Sequence, residues 1–190
     1  MDQPDVFPLA ITGKRVRLRE IGPDDAPATM AWAADPEFFR YMAYTPMPDQ
    51  AAEEEFLRGV HTQARARPRV QYHVGVVWLA SDELIGMVRL GITSAQNREG
   101  DLGYGLRLDR AGQGITTEAA ALLLGFGFET LGLHRVFAYH HPDNRASERV
   151  MEKLGMQREG RLRENLFEHD TWRDSVVHSV LEHEWRERSR

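Results

Sequence analysis

The chain has 190 residues, with 24 lysines and arginines against 29 aspartates and glutamates, a formal charge of −5. That balance excludes a general nucleic-acid surface, and the absence of cysteine excludes disulfides, thiolate metal sites and acyl-cysteine intermediates. No run approaches the ~20 apolar residues of a membrane span, and no signal-like apolar segment opens the chain, so a cytoplasmic protein is expected, one domain over residues 1–190 with a loose arm at 1–10.

Residues 15–21 alternate Val16, Leu18 and Ile21 against arginines, the pattern of a half-buried strand. Gly22, Pro23, Asp24 and Asp25 form a turn and helix start, with a helix expected over residues 26–32. Asp35 and Pro36 begin a second turn, leading to Phe38, Phe39, Tyr41 and Met42, a cluster that reads as a core edge or a pocket lining. Pro46 and Pro48 break the chain, and Asp49 is a good N-cap for a helix over residues 51–66. Phe56, Leu57 and Val60 give that helix an apolar side, and Pro68 ends it.

Residues 70–79 alternate again, with Val74, Val76 and Trp78 on one face and Val77 and Leu79 on the other. A hairpin turn at 81–83 leads to a strand over residues 84–92, and a turn at 97–100 leads to another on which Leu102, Tyr104, Leu106 and Leu108 share a face. Gly103 and Gly105 inside it imply a bulge or a close approach by another backbone or a ligand. The pattern is an antiparallel meander.

The meander feeds residues 109–119 (DRAGQGITTEA), where Gly112 and Gly114 turn the chain into a helix. Such a turn gathers unpaired N–H groups at the positive end of a helix dipole, an anion site that needs no lysine. A Walker loop is excluded because Gly114 is followed by Ile115 and Thr116, and a dinucleotide fingerprint because Thr117 stands where its third glycine belongs. A pyrophosphate turn of the coenzyme A type and a plain tight turn remain open.

Residues 117–131 form the longest apolar helix, with Gly132 as its cap. Gly125 and Gly127 each cost about 1 kcal/mol relative to alanine, which implies close packing against a neighbour. Residues 135–140 are the next strand, and residues 142–144 turn into a short helix, 146–154, closed by Gly155. Residues 156–185 alternate like two strands joined around 168–170, and a charged terminus starts at Glu182. There are no repeats and no linker.

This order of elements carries three distinctive pieces: Gly103 with Tyr104, the Gly112–Gly114 turn followed by Thr117, Glu118 and Ala119, and residues 144–155 (NRASERVMEKLG). Together they resemble the GNAT superfamily of N-acetyltransferases and, within it, the RimJ/RimL-like group that acetylates protein N-termini. Trp172, Arg173 and Asp174 look most like the RimJ side. The resemblance runs from Arg15 to Leu181. It implies an α+β (α/β) fold: a mixed, mostly antiparallel central sheet of about seven strands, splayed at the cofactor site and flanked by about four helices. It also implies acetyl-CoA as co-substrate, lying between strands 102–108 and 135–140. Pantetheine would pair with the backbone near Leu106 and Leu108, and the pyrophosphate would sit on Gly112, Gln113, Gly114 and the helix start at Thr116 and Thr117. Asn144 would cap the following helix and contact the pantetheine arm. Two positions depart from the pattern: Ala111 stands for the usual glutamine or arginine, and Thr116 for a glycine or alanine.

The implied reaction is direct attack of a primary amine on the thioester, with a peptide or protein N-terminal α-amine as the leading acceptor. The alternatives are a small amine (polyamine, amino sugar or antibiotic) and a non-catalytic acyl-CoA-binding module. The tyrosine that serves many members as general acid is Met151 here, and the serine proposed in RimL-like members is Ser147. The carboxylate described in those members falls on Leu166, which leaves Glu164 and Asp101 as candidate bases. A strong base is not required, because an α-amine of pKa about 7.7–8.0 is roughly a tenth free at pH 7. His140 and His141 invite a metal reading, but no carboxylate or cysteine spacing completes a ligand set; no metal, nucleic acid or membrane is expected as a partner, and a homodimer through the last strands is allowed. His178 and His183 receive no role.

Overall fold

The computed structural model describes residues 6–42, 44–168 and 170–188. Its strands are β1 (Ala10–Thr12), β2 (Val16–Glu20), β3 (Gln71–Trp78), β4 (Glu83–Ser94), β5 (Glu99–Leu106), β6 (Arg135–His140), β7 (Gln157–Glu168) and β8 (Thr171–Leu181). Its helices are α1 (Ala26–Ala33), α2 (Pro36–Phe39), α3 (Gln50–Ala64), α4 (Ile115–Glu129), α5 (Arg145–Lys153) and α6 (Glu182–Arg188). The strands form one sheet in the order β1-β2-β3-β4-β5-β6-β8-β7. Every neighbouring pair is antiparallel except β5 with β6. Among the described residues no helix is long and apolar enough to cross a membrane; strands that cross are a separate matter.

Alternation assigns the two faces. Tyr72, Val74 and Val76 of β3 point with Val16, Leu18, Val88 and Leu90 into the core under α4 and α5. On the other face Ile21, Val77 and Leu84 pack with Trp32, Phe38, Leu57 and Val60 beneath α1–α3. Val76 and Val77 enter opposite cores by that same alternation, and the register against β4 shifts between them. α4 is apolar nearly all round because it is buried nearly all round. Gly127 explains how close it comes: a Cβ there would lie 2.9 Å from Leu90, whereas one at Gly125 would make ordinary contact with Trp185 at 3.8 Å.

The structure corrects several expectations. From residue 6 onward the N-terminal arm is not loose: Leu9 is buried, its N–H donates to Glu20 Oε1 at 2.9 Å, and β1 pairs with β2. Residues 1–5 lie outside the described residues. Among the described residues β1 brings the sheet to eight strands. Short α2 and terminal α6 raise the helices to six; α6 occupies the charged terminus, where its Trp185 ring lies 5.9 Å from Phe128. β5 starts at Glu99, its turn lies at residues 95–98, and it ends at Leu106. Leu108 belongs not to that strand but to a 3-10 turn, Leu108–Arg110, half-exposed. α4 begins at Ile115, two residues earlier than the periodicity alone places it.

Candidate active site

β5 and β6 pair through three residue pairs only: Glu99 with Arg135, Gly100 with Val136, and Asp101 with Phe137. Beyond Asp101 the strands part, and the second half of β5 keeps β4 as its partner. The chain then passes the 3-10 turn and reaches α4 through Gly112 (φ 76°) and Gly114 (φ 75°). Both angles lie in the left-handed region that suits glycine. Gly114 is the N-cap of α4 and no side chain caps it, so the first amides of the helix point outward at its positive end. Arg15, a residue the motif reading missed, braces this turn. Its Nε donates to Glu118 Oε2 at 2.7 Å, its backbone N–H to Glu118 Oε1 at 2.7 Å, and its Nη1 to the Gln113 carbonyl at 2.8 Å. Arg15 lies 98 residues upstream of Gln113, a distance at which no spacing rule operates.

A cavity of about 720 Å³ opens at the parting of the strands. Leu106, Leu108, Ala111 and Thr116 line it on the α4 side, and Asn144, Ser147 and Met151 on the α5 side. Asn144 is the N-cap of α5, its Oδ1 accepting from the Ser147 N–H at 3.0 Å. The Ser147 Oγ lies 2.9 Å from the Tyr104 hydroxyl, which is also 3.2 Å from the Ser147 carbonyl. Burial pushes Tyr104 up to about 12, so its proton is held. The sequence pointed to Ser147 but gave Tyr104 no chemical role; β5 alternation alone turns Tyr104 toward α5.

Neither candidate base lines the cavity. Asp101 is clamped by the two terminal nitrogens of Arg89. Glu164 sits at the register shift of β7 with φ 47°, exposed, its N–H donating to Asp174 Oδ1 at 2.8 Å. The irregularity between Leu162 and Leu166 breaks the alternation that put Glu164 on the inner face. Four carboxylates line the cavity, Glu37, Glu53, Glu168 and Asp174, and the buried one is Glu53 of α3, 1% exposed. Desolvation raises its pKa, and the Thr29 hydroxyl offsets part of this. Among the described residues neither Glu53 Oε1 nor the nearby cavity-lining Trp32 Nε1 has a hydrogen-bond partner. His73 lines the same wall, edge-on to Phe56, its pKa lowered to about 4 by desolvation and by the Arg89 charge. Gly105 lets Phe38 close this side, since a Cβ there would meet the Phe38 ring at 2.6 Å. The aromatic cluster of the sequence is therefore both core edge and pocket lining: Phe38 is buried, while Phe39, Tyr41 and Met42 also border the cavity. The last hairpin contributes Leu166 and Arg173 to the rim, with Phe167 and Trp172 60% and 59% exposed beside them.

A family model described as an acetyltransferase (GNAT) domain matches residues 15–157. The Bacillus subtilis (strain 168) protein named probable N-acetyltransferase YjcK is 31% identical over 174 residues, covering 90% of this chain and 96% of that one. Ribosomal protein uS5-alanine N-acetyltransferase of Escherichia coli (strain K12) is 29% identical over 84 residues, 44% of this chain and 43% of that one. The structure of Mycobacterium smegmatis RimJ in complex with CoA-disulfide aligns with a TM-score of 0.83 at 23% identity, covering 99% of this chain and 98% of that one; it shares the fold.

Proposed function

The chain belongs to the GNAT acetyltransferase family, and from that premise we propose that it moves an acetyl group from acetyl-CoA to the α-amine of a peptide or protein N-terminus. One observation carries the reading. Ala111 and Thr116, which flank the glycine turn into α4, the parting of β5 from β6 and the Tyr104–Ser147 pair all meet at one cavity, with Gly112, Gln113, Gly114 and Thr117 just outside its lining.

Acetyl-CoA supplies the activated acetyl group. The uncapped amides after Gly112, Gln113 and Gly114, with Thr116 and Thr117 in the first turn, form a cradle for its pyrophosphate. Backbone groups of β5 left without a β6 partner suit the amides of pantetheine, with Leu106 at the strand end, Leu108 in the 3-10 turn and Asn144 across the gap. The amine nitrogen attacks the thioester carbonyl, the C–N bond forms, and the C–S bond breaks. Ser147 donates its Oγ proton toward the departing sulfur and regains one from solvent, while the Tyr104 hydroxyl, which keeps its own proton, hydrogen-bonds to Ser147 Oγ and steadies the charge that develops there, in place of the missing tyrosine at Met151. Glu53 takes the amine proton, in the role first assigned to Asp101 or Glu164. Burial lifts its basicity toward that of the α-amine, which favours the transfer. A protein acceptor is supported by the uS5-alanine relative and by the exposed Phe167 and Trp172 at the rim, rings 5.1 Å apart, a surface suited to an extended peptide. The chemistry runs in the cytoplasm, where acetyl-CoA and new N-termini coexist.

The test is thiol release from acetyl-CoA over N-terminal peptides, polyamines and aminoglycosides. A peptide α-amine is expected to give the highest kcat/KM. Faster turnover of a polyamine or aminoglycoside would move the acceptor to small amines, and no release with any amine would end the catalytic reading.

A further inference from the structure

Where α5 meets the ends of β6 and β8, three groups that the reaction does not use converge, one of them, His140, at the wall of the cavity. His140 ends β6, His178 lies on β8, and Glu148 follows Ser147 on α5. One ligand atom from each lies within 4.8 Å of the other two. Both imidazoles are buried, His140 at 5% and His178 at 2% exposure, and their Nε2 atoms are 3.3 Å apart. A tetrahedral centre with bonds of about 2.0–2.1 Å sets neighbouring ligand atoms about 3.3–3.4 Å apart. His140 Nδ1 lies 2.8 Å from the His141 carbonyl, which can only accept. The proton therefore sits on Nδ1, and Nε2 presents a lone pair, as in the second-shell arrangement of metal-bound histidine.

We propose that His140, His178 and Glu148 form a site for a divalent transition ion of the zinc class, with water in the fourth position. A hydrogen-bonded pair of neutral imidazoles accounts for two of the three groups but not for the carboxylate brought within 4.8 Å of both; a cation uses all three. Arg145 holds Glu148 Oε2 at 2.7 Å, and the other carboxylate oxygen remains for the ion. The site ties α5, and with it Ser147, to two strands of the sheet, so its role is to fix the helix, not to join the acetyl transfer. It stands or falls independently of the acceptor. Sequence spacing missed it because the ligands lie 38 residues apart on neighbouring strands and the adjacent His141 points elsewhere, its Nδ1 accepting from the Asp143 N–H.

The test is titration of chelator-treated protein with Co²⁺, followed by its visible absorption, and with Zn²⁺ by calorimetry. One ion should bind per chain, with a tetrahedral or five-coordinate cobalt spectrum and a raised melting temperature. His178→Asn and Glu148→Gln should each weaken binding by more than about 100-fold, beyond the roughly 10–100-fold cost of losing a second-shell partner. His141→Ala should leave affinity unchanged, and Arg145→Ala should tighten it by releasing Glu148. Glu148 is partly exposed, so Glu148→Gln keeps the test decisive if His178→Asn does not fold. No stoichiometric uptake by the unaltered chain, or uptake that survives Glu148→Gln undiminished, overturns the site.

Discussion

Two residues carry contrasting predictions, because one sits in a satisfied network and the other does not. Ser147 receives a cap from Asn144 and a hydrogen bond shared with Tyr104. As proton donor to the leaving sulfur it should be worth about 10²–10⁴-fold in kcat, so Ser147→Ala should lose that much with coenzyme A affinity little changed. Tyr104→Phe should also lower kcat, by less, since it removes the hydrogen bond that steadies Ser147 Oγ. A purely structural Ser147 would show a lower melting temperature and normal turnover of the folded fraction. Glu53 is the reverse case: a carboxylate 1% exposed, with one oxygen unpartnered and a raised pKa. The folded chain therefore holds this proton more tightly than the unfolded chain does. Between the ordinary carboxylate pKa and the raised one, stability falls as pH rises, because unfolding releases the proton. Glu53→Gln removes that cost. The variant should match the unaltered chain near pH 4.5 and melt at a higher temperature at pH 8, while losing activity across the range. A variant that keeps its kcat at pH 8 would take the base role away from Glu53.

At the scale of elements, the turn into α4 was the most legible part of the chain, because glycine at a left-handed position is a local signal. Gly114→Val places a β-branched residue at φ 75°, costing roughly 1–2 kcal/mol, and crowds the approach to the first amides of the helix. The folded variant should show no thermal shift with coenzyme A; an undiminished shift would remove the pyrophosphate from this turn. Strands with clean alternation were equally readable, β3 above all, and so was α3, whose Asp49 cap accepts from Ala52 N–H at 2.9 Å. What failed to read was set by distant partners. β1 has little pattern of its own and exists because Leu9 fills a core gap and gives its N–H to Glu20, whose carboxylate is ion-paired with Arg69 49 residues further on. Leu9→Ala should therefore cost about 2–5 kcal/mol, the range for large-to-small changes in a core, measurable by denaturant unfolding; a loss under about 1 kcal/mol would return the arm to a loose segment. Neither carboxylate chosen from the sequence as a candidate base lines the cavity, for a similar reason. Asp101 has the right residue type, but only the folded sheet brings Arg89 beside it, and Glu53 carries no sequence signal beyond being one glutamate among three in a row.

On the whole molecule, the short parallel pairing of β5 with β6 divides the sheet into a β1–β5 part and a β6–β8 part. They are joined by three residue pairs and by the shared core beneath α4 and α5. A ligand that enters the parting bonds to both sides, so its binding energy becomes cohesion between the two parts. At 100 times its dissociation constant, a ligand that binds only the native state adds about 2.7 kcal/mol. For a chain of this size that is a rise in melting temperature of about 5–10 °C. Coenzyme A and acetyl-CoA should produce it, and NAD and ATP should not. The location of the effect is the sharper prediction. Residues 102–106 of β5 pair with β4 and residues 138–140 of β6 with β8, but not with each other; hydrogen exchange at the alternate amides that point into the parting should slow most when coenzyme A is added. Residues 99–101 and 135–137 are already paired and should change little. The first turn of α4 should gain protection as its free amides find acceptors. Slowing confined to α1–α3, or spread evenly over the sheet, would place the nucleotide outside the parting and leave the cavity to the acceptor alone.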